Sequence, residues 1–182
     1  PCDMKRIREL CNNYNVKIIE DASHAIGGSY KGEPIGNCKY SDITVFSFHP
    51  VKIVTTAEGG AALTNDHKLA KKMNLFRSHG ITRDHDAMTE AAHGSWYYQQ
   101  ITLGYNYRMS ELQAALGISQ MKRLAEFVSI RHAKAERYNF LLEDLPLQTP
   151  YQLDETYSGL HLYVIQLCLE DISVSHRDIF EN

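Results

Sequence analysis

"DITVFSFHPVKIVTTAEGG" (residues 42–60) decides how the rest of this chain is read. Its first seven residues are mostly β-branched or aromatic, the composition of a strand packed in a sheet. That strand delivers His49, Pro50 and Lys52 to its carboxyl end, followed by two threonines and a glycine pair. A lysine in that place is either a solvated terminator or a chemical handle, and only its neighbours can say which.

Upstream, Met4, Ile7, Leu10, Cys11 and Tyr14 recur at helical spacing behind Asp3, a good N-cap. "VKIIE" then reads as a short buried strand with Asp21 just beyond its end. A helix feeding such a strand is half of a βαβ unit and predicts a parallel sheet. "GGSYKGEPIG" holds four glycines and a proline, which predicts turns and a small hairpin around Lys31 and Gly32. Downstream, "GGAALT" reads as another strand and "NDHKLAKKMNLFRSHG" as a capped helix ending at Gly80. Residues 81 to 104 lack periodicity and are rich in His, Asp and Tyr, which marks a functional loop. Ser110 with Gln113 forms a capping-box pattern, and helical spacing continues from Leu112 to Leu142. So long a run predicts a break near Gly117 or Arg123. "HLYVIQL" alternates as a strand of a separate smaller domain, and Ser175 with Asp178 reads as the cap of a last helix.

Composition narrows the functions. The 182 residues are 43% hydrophobic and 23% charged with a net charge of -3, an ordinary globular balance. The 19 Lys and Arg are scattered, so there is no basic footprint for nucleic acid. No apolar run approaches the ~20 residues of a membrane helix. Four widely spaced cysteines without a CxxC pair read as free thiols of a reducing compartment, so the cytoplasm is the expected location. The chain opens on Pro1 rather than methionine, and both of its ends read as cuts through a larger protein.

Ligands of open α/β sheets sit outside the carboxyl ends of the strands, where Asp21 and Lys52 both fall. The plain reading of that pair is a salt bridge. The sharper reading is a pyridoxal phosphate (PLP) site, which needs a lysine amine for its Schiff base and a carboxylate facing the pyridine nitrogen. Hydroxyls and amides must hold the phosphate, and Ser47, five residues before Lys52, is well placed. His79, His85 and His93 with Asp84 and Asp86 match no zinc spacing, so no metal is expected. Trp96, Tyr97 and Tyr98 read as packing aromatics, or as a surface for a base or sugar.

Four blocks then add up: "EDASHA" (residues 20–25), "SFHPVKIVTTAEGG" (47–60), "FRSHGITRD" (76–84) and "LGYNYRMSELQAALGISQMKRL" (103–124). In this order they resemble the DegT/StrS family of nucleotide-sugar aminotransferases. The resemblance implies an α/β chain that is part of the PLP-dependent aspartate aminotransferase (type I) fold, a mainly parallel sheet with helices. Residues 1–122 would be the later part of the large PLP-binding domain. Residues 123–182 would be the connecting helix and the start of a small α/β C-terminal domain. Lys52 would carry the Schiff base, Asp21 would pair with the pyridine nitrogen, His24 would contact the ring, and Ser47 would bind the phosphate. Asn106 would reach across a homodimer to the neighbouring subunit's phosphate, with Arg108 close by, and His79 and His161 would face substrate. The blocks look most like the pseudaminic-acid branch, which moves the amino group of glutamate to carbon 4 of a UDP-linked 4-keto-6-deoxy sugar.

Two departures stand against the family pattern. Ala57 replaces a glycine, which strains the lysine loop if that backbone needs a positive φ. The family's amino-terminal portion is absent, so this chain alone is expected to bind the cofactor weakly or not at all. Three other readings compete. One is the dehydratase branch, which carries histidine where Lys52 stands. Another is a non-catalytic scaffolding or regulatory relative of the same fold. The third is an α/β ligand-binding domain without cofactor.

Overall fold

The computed structural model describes residues 2–181. Helix α1 (Met4–Asn13) is capped by Asp3, whose carboxylate accepts the Arg6 N–H, and it leads into strand β1 (Ile19–Asp21). β1 lies parallel to β4 (Ile43–Ser47), with Ile19 beside Ile43 and Asp21 beside Val45. The strand is shorter than "VKIIE" suggests, and Asp21 is its last residue rather than the residue after it. β5 (Gly60–Leu63) runs antiparallel to β4, giving a three-stranded sheet of order β1-β4-β5. The antiparallel pair follows from chain length, because the twelve residues between the strands make a loop and hold no crossover helix.

Between β1 and β4 the chain makes the expected hairpin, β2 (Ser29–Tyr30) against β3 (Glu33–Pro34). Lys31 and Gly32 turn it with φ of 52° and 76°, the paired positive values of a tight hairpin turn. Helix α2 (His67–Arg77) is capped by Asp66, and Gly80 closes its C-terminal turn with φ 68° and its N–H on Leu75 O. The unpatterned stretch after it contains a short hairpin, β6 (Ile81–Thr82) against β7 (Gln99–Gln100).

The long helical run does break, at Lys122–Arg123, between α3 (Glu111–Met121) and α4 (Leu124–Leu141). The Ser110–Gln113 capping box is formed in both directions. α4 crosses close over Gly27, where a Cβ would stand 2.6 Å from Val128 Cγ2, so glycine is what lets the helix settle there. Val128 thereby joins the buried cluster of Ala22, Ile26, Phe46, Ile53 and Val54.

Past α4, β8 (Leu147–Gln148) pairs with β10 (Gln166–Leu167), and β9 (Thr156–Tyr157) joins the β2 hairpin. "HLYVIQL" is therefore mostly not a strand. Only its last two residues pair, because the partner strand offers two residues, and Leu162 and Val164 stay exposed. A final helix, α5 (His176–Glu181), begins at Ser175, whose hydroxyl bonds Asp178 and accepts the Asp178 N–H. No helix among the described residues is long and apolar enough to cross a membrane. The four cysteines are free thiols.

Two side-chain arrangements generate tests of this packing. Asp42 accepts from the Ile18 N–H at 2.9 Å, from Lys17 at 3.0 Å and from Arg8 at 3.0 Å, so it ties α1 to the strand entrances. The Ile18 amide, then Lys17, then Arg8 hold its carboxyl down at about 2. A depressed folded value contributes stability that is complete above the unfolded value of 3.8 and lost as pH falls through 2. Asp42→Asn is expected to cost on the order of 2 kcal/mol at neutral pH and to flatten the acid limb of stability below about pH 4, read by urea unfolding. Ala57 sits at φ 67°, in the left-handed region. Ala57→Gly is expected to raise stability by roughly 0.5–1 kcal/mol, the strain relieved less the entropy glycine adds to the unfolded chain.

Candidate active site

The loop after β4 is fixed at several points. Phe48 N–H donates to Gly59 O at 2.8 Å and Thr56 N–H to Phe48 O at 2.9 Å, while Thr55 Oγ1 also donates to Phe48 O. Thr56 Oγ1 donates to Glu58 O, which also accepts from Gln113 Nε2 on α3. Ile53 and Val54 are driven into the core at 5% and 0% exposure. Lys52, immediately before them, is left half-buried at the rim, its N–H closing a turn onto His49 O at 2.9 Å. The threonines and the Ile-Val pair are thus the anchors that hold the lysine in place.

Parallel pairing brings the carboxyl end of β1 to the same edge. Ala22 N–H donates to Val45 O at 2.9 Å, so Asp21 stands one strand away from the segment that carries Ser47 and Lys52. The Ser23 hydroxyl and then the Ser23 N–H bond Asp21 Oδ1, at 2.5 and 3.1 Å. These bonds hold its carboxyl below the ordinary range, with smaller contributions from the nearby charges of His24 and Lys52. The His24 ring packs on His161, centroids 4.4 Å apart and planes tilted by 47°. Among the described residues His161 Nδ1, which is buried, has no hydrogen-bond partner. Burial, then His24, Lys52 and Arg131, lowers the His161 pKa from its usual value.

Asp21, His24, Lys52 and His161 therefore form one group, with Ser47 at the end of the adjoining strand. Among the described residues Ser47 Oγ accepts only a long 3.5 Å bond, from the His49 N–H. His79 and Arg108 come together elsewhere. They line a hollow of about 300 Å³ with Ser78, Ile81, Arg83 and Tyr98. Exposed Asn106 bridges to Ser78 at its edge. Among the described residues no hydrogen bond, ion pair or ring contact joins this second group to Lys52 or Asp21. No cluster of three or more His, Cys, Asp or Glu among them is placed to hold a metal ion.

Ser23 is the site residue missed by sequence reasoning. A serine two positions after an aspartate at a strand end is an Asx-turn signal that would have revealed it.

The whole described chain matches one family model, the DegT/DnrJ/EryC1/StrS aminotransferase family, over residues 1–181. The chain belongs to that family. It is 38% identical over 181 residues to the UDP-4-amino-4,6-dideoxy-N-acetyl-beta-L-altrosamine transaminase of Campylobacter jejuni, covering 99% of this chain and 45% of that protein. The spore coat polysaccharide biosynthesis protein SpsC of Bacillus subtilis is 38% identical over 98% of this chain and 45% of its own length. Among solved structures, Helicobacter pylori PseC, an aminotransferase of pseudaminic acid biosynthesis, superposes with a TM-score of 0.79 at 33% identity, over 100% of this chain and 44% of that one. A Streptococcus pneumoniae protein assigned as a sugar aminotransferase, solved in its PLP form, gives 0.80 at 28% identity, over 98% and 47%. This chain thus spans a little under half the length of these relatives.

One check of the site needs no ligand. Ser23→Ala removes the strongest hydrogen bond to Asp21, so the carboxyl should titrate at higher pH, followed by carbon NMR of labelled aspartate. An unmoved titration would contradict the geometry given for this residue.

Proposed function

We propose that the protein of which this chain is part is a PLP-dependent aminotransferase. It moves the amino group of glutamate to a nucleotide-linked 4-keto-6-deoxy sugar, UDP-linked and aminated at C4. The observation that carries the reading is the convergence of Lys52, a carboxylate held ionised and a buried unpaired imidazole atom at one sheet edge. Membership of the aminotransferase family supports it, as does the similarity to the Campylobacter transaminase.

The donor set fits the cofactor. Lys52 would hold it through Nζ, Asp21 would face the pyridine nitrogen, His24 would lie against the ring, and Ser47 would bind the phosphate. Asn106, on its exposed segment, would serve the site of a second copy in a homodimer. When bound, PLP supplies an electron sink for the pair released as a proton leaves the substrate carbon.

This chain's residues do the rest. Ser23 keeps Asp21 charged, which keeps the ring nitrogen facing it protonated. Lys52 Nζ, besides holding the cofactor, would serve as the base that takes the proton from the substrate carbon and as the acid that gives it back. His161 Nδ1 offers its unused hydrogen-bonding capacity to the substrate. His79 and Arg108 are further substrate-facing candidates, Arg108 as a cation for the phosphates of the nucleotide.

In the full-length protein, Lys52→Ala should abolish transfer from glutamate to a UDP-linked 4-keto sugar, with product followed by mass spectrometry. Appreciable residual transfer would remove Lys52 from this role. A wild-type protein that fails even the half-reaction with glutamate would favour a non-catalytic relative of the same fold.

A further inference from the structure

His161 is held by a device that its own strand does not supply. The segment leading to it leaves β9 at Tyr157 and turns sharply, with Leu160 at φ 49° although 91% of it is buried away from solvent, at 9% exposure. A leucine in the left-handed region persists only where its surroundings over-determine it. Here they do so from α4. Arg131 Nη1 donates to both Leu160 O and His161 O, each at 3.2 Å. His132 Nε2 lies 2.8 Å from Ser158 O, a carbonyl, so that nitrogen carries the proton. The His132 ring stacks on Tyr157 at 4.2 Å with planes 2° apart.

Two backbone amides of the turn are paired as well: Ser158 N–H donates to Gln152 Oε1 and Leu160 N–H to Ser158 Oγ. Gly159 lies so close to the chain after β1 that a Cβ there would stand 2.5 Å from Ile26 O. His161 Nδ1, by contrast, is buried without a hydrogen-bond partner among the described residues, and its ring lies against His24.

We propose that Arg131 and His132 are positioning residues: from α4 they clamp residues 158–161 so that the His161 imidazole stands against His24 at the Lys52 centre. The clamp itself is independent of the transaminase reading; what the presented ring then serves rests on that reading. Arg131 contributes in two separable ways. Its two carbonyl bonds fix the ring's place, and its charge, with those of His24 and Lys52, opposes protonation of the ring.

The test uses the full-length protein with histidine labelled for NMR, the His161 and His24 signals being assigned with His161→Asn and His24→Asn. Arg131→Lys keeps the charge on a side chain one atom shorter, which withdraws the nitrogen from both carbonyls; Arg131→Met loses the charge as well. In wild type, burial should make His161 titrate below the usual histidine value. In Arg131→Lys its titration should move up toward that range and its through-space signal to His24 should weaken, with the fold retained by circular dichroism. Arg131→Met should move it further. If Arg131→Lys leaves both the titration and the His24 signal unchanged, the clamp is overturned, whether or not Arg131→Met folds. This readout needs no turnover. A moved titration beside an active Lys52→Ala enzyme would leave the clamp standing and sink the transaminase assignment of Lys52; the reverse pattern would do the opposite.

Discussion

The pairing register of β1 against β4 is the constraint on which the site depends. Two acids are adjacent at the end of β1, and side chains in a strand alternate between faces. In the observed register Glu20 lies beside Thr44 and is absorbed by structure, its Oε2 accepting from the Ser41 and Thr44 hydroxyls at 3.1 and 3.0 Å. Asp21 is thereby turned out to the edge, where Ser23 completes its solvation. A slip of one residue would exchange the two carboxylates, burying Asp21 and exposing Glu20. The buried hydroxyl pair of Ser41 and Thr44, 2.8 Å apart, makes that slip costly, because it would leave both without the acid they satisfy.

The lysine loop extends the same logic. Val54, with no exposure at all, anchors the chain two positions from Lys52, and the Thr55, Thr56 and Gln113 bonds close the loop without using Lys52 Nζ. The Lys52 side chain is thus positioned by groups that do not compete for it. Ala57 is the exception to an otherwise relaxed loop: its N–H bonds Thr55 Oγ1 at 3.0 Å in a backbone region that favours glycine. The loop adopts the turn despite that residue, so the strain foreseen from the sequence is present and tolerated.

Legibility in the sequence followed how local each signal was. DITVFSF, the Ser110–Gln113 box and the Lys31–Gly32 turn are short-range patterns with short-range causes, and each appears where it was read. The helix break at Lys122–Arg123 was legible as a length argument. "HLYVIQL" misled because alternation describes a strand only if a partner of equal length exists, and β8 is two residues long. The direction of β5 was not legible, since GGAALT reads identically either way. Of the site, Asp21 and Lys52 could be brought together on paper by the rule for strand ends. The contact of His24 with His161, 137 residues apart in the chain, and the grip of Arg131 on Leu160 depend on how α4 settles over Gly27. No local pattern encodes them.

The central claim is that Lys52 is the lysine this fold offers to an aldehyde cofactor. Borohydride trapping tests it most directly: the full-length protein is mixed with pyridoxal phosphate, reduced and digested, and the lysine carrying the pyridoxyl mass is located. The account predicts a single label, on Lys52. Labels scattered over surface lysines, or none, would contradict it.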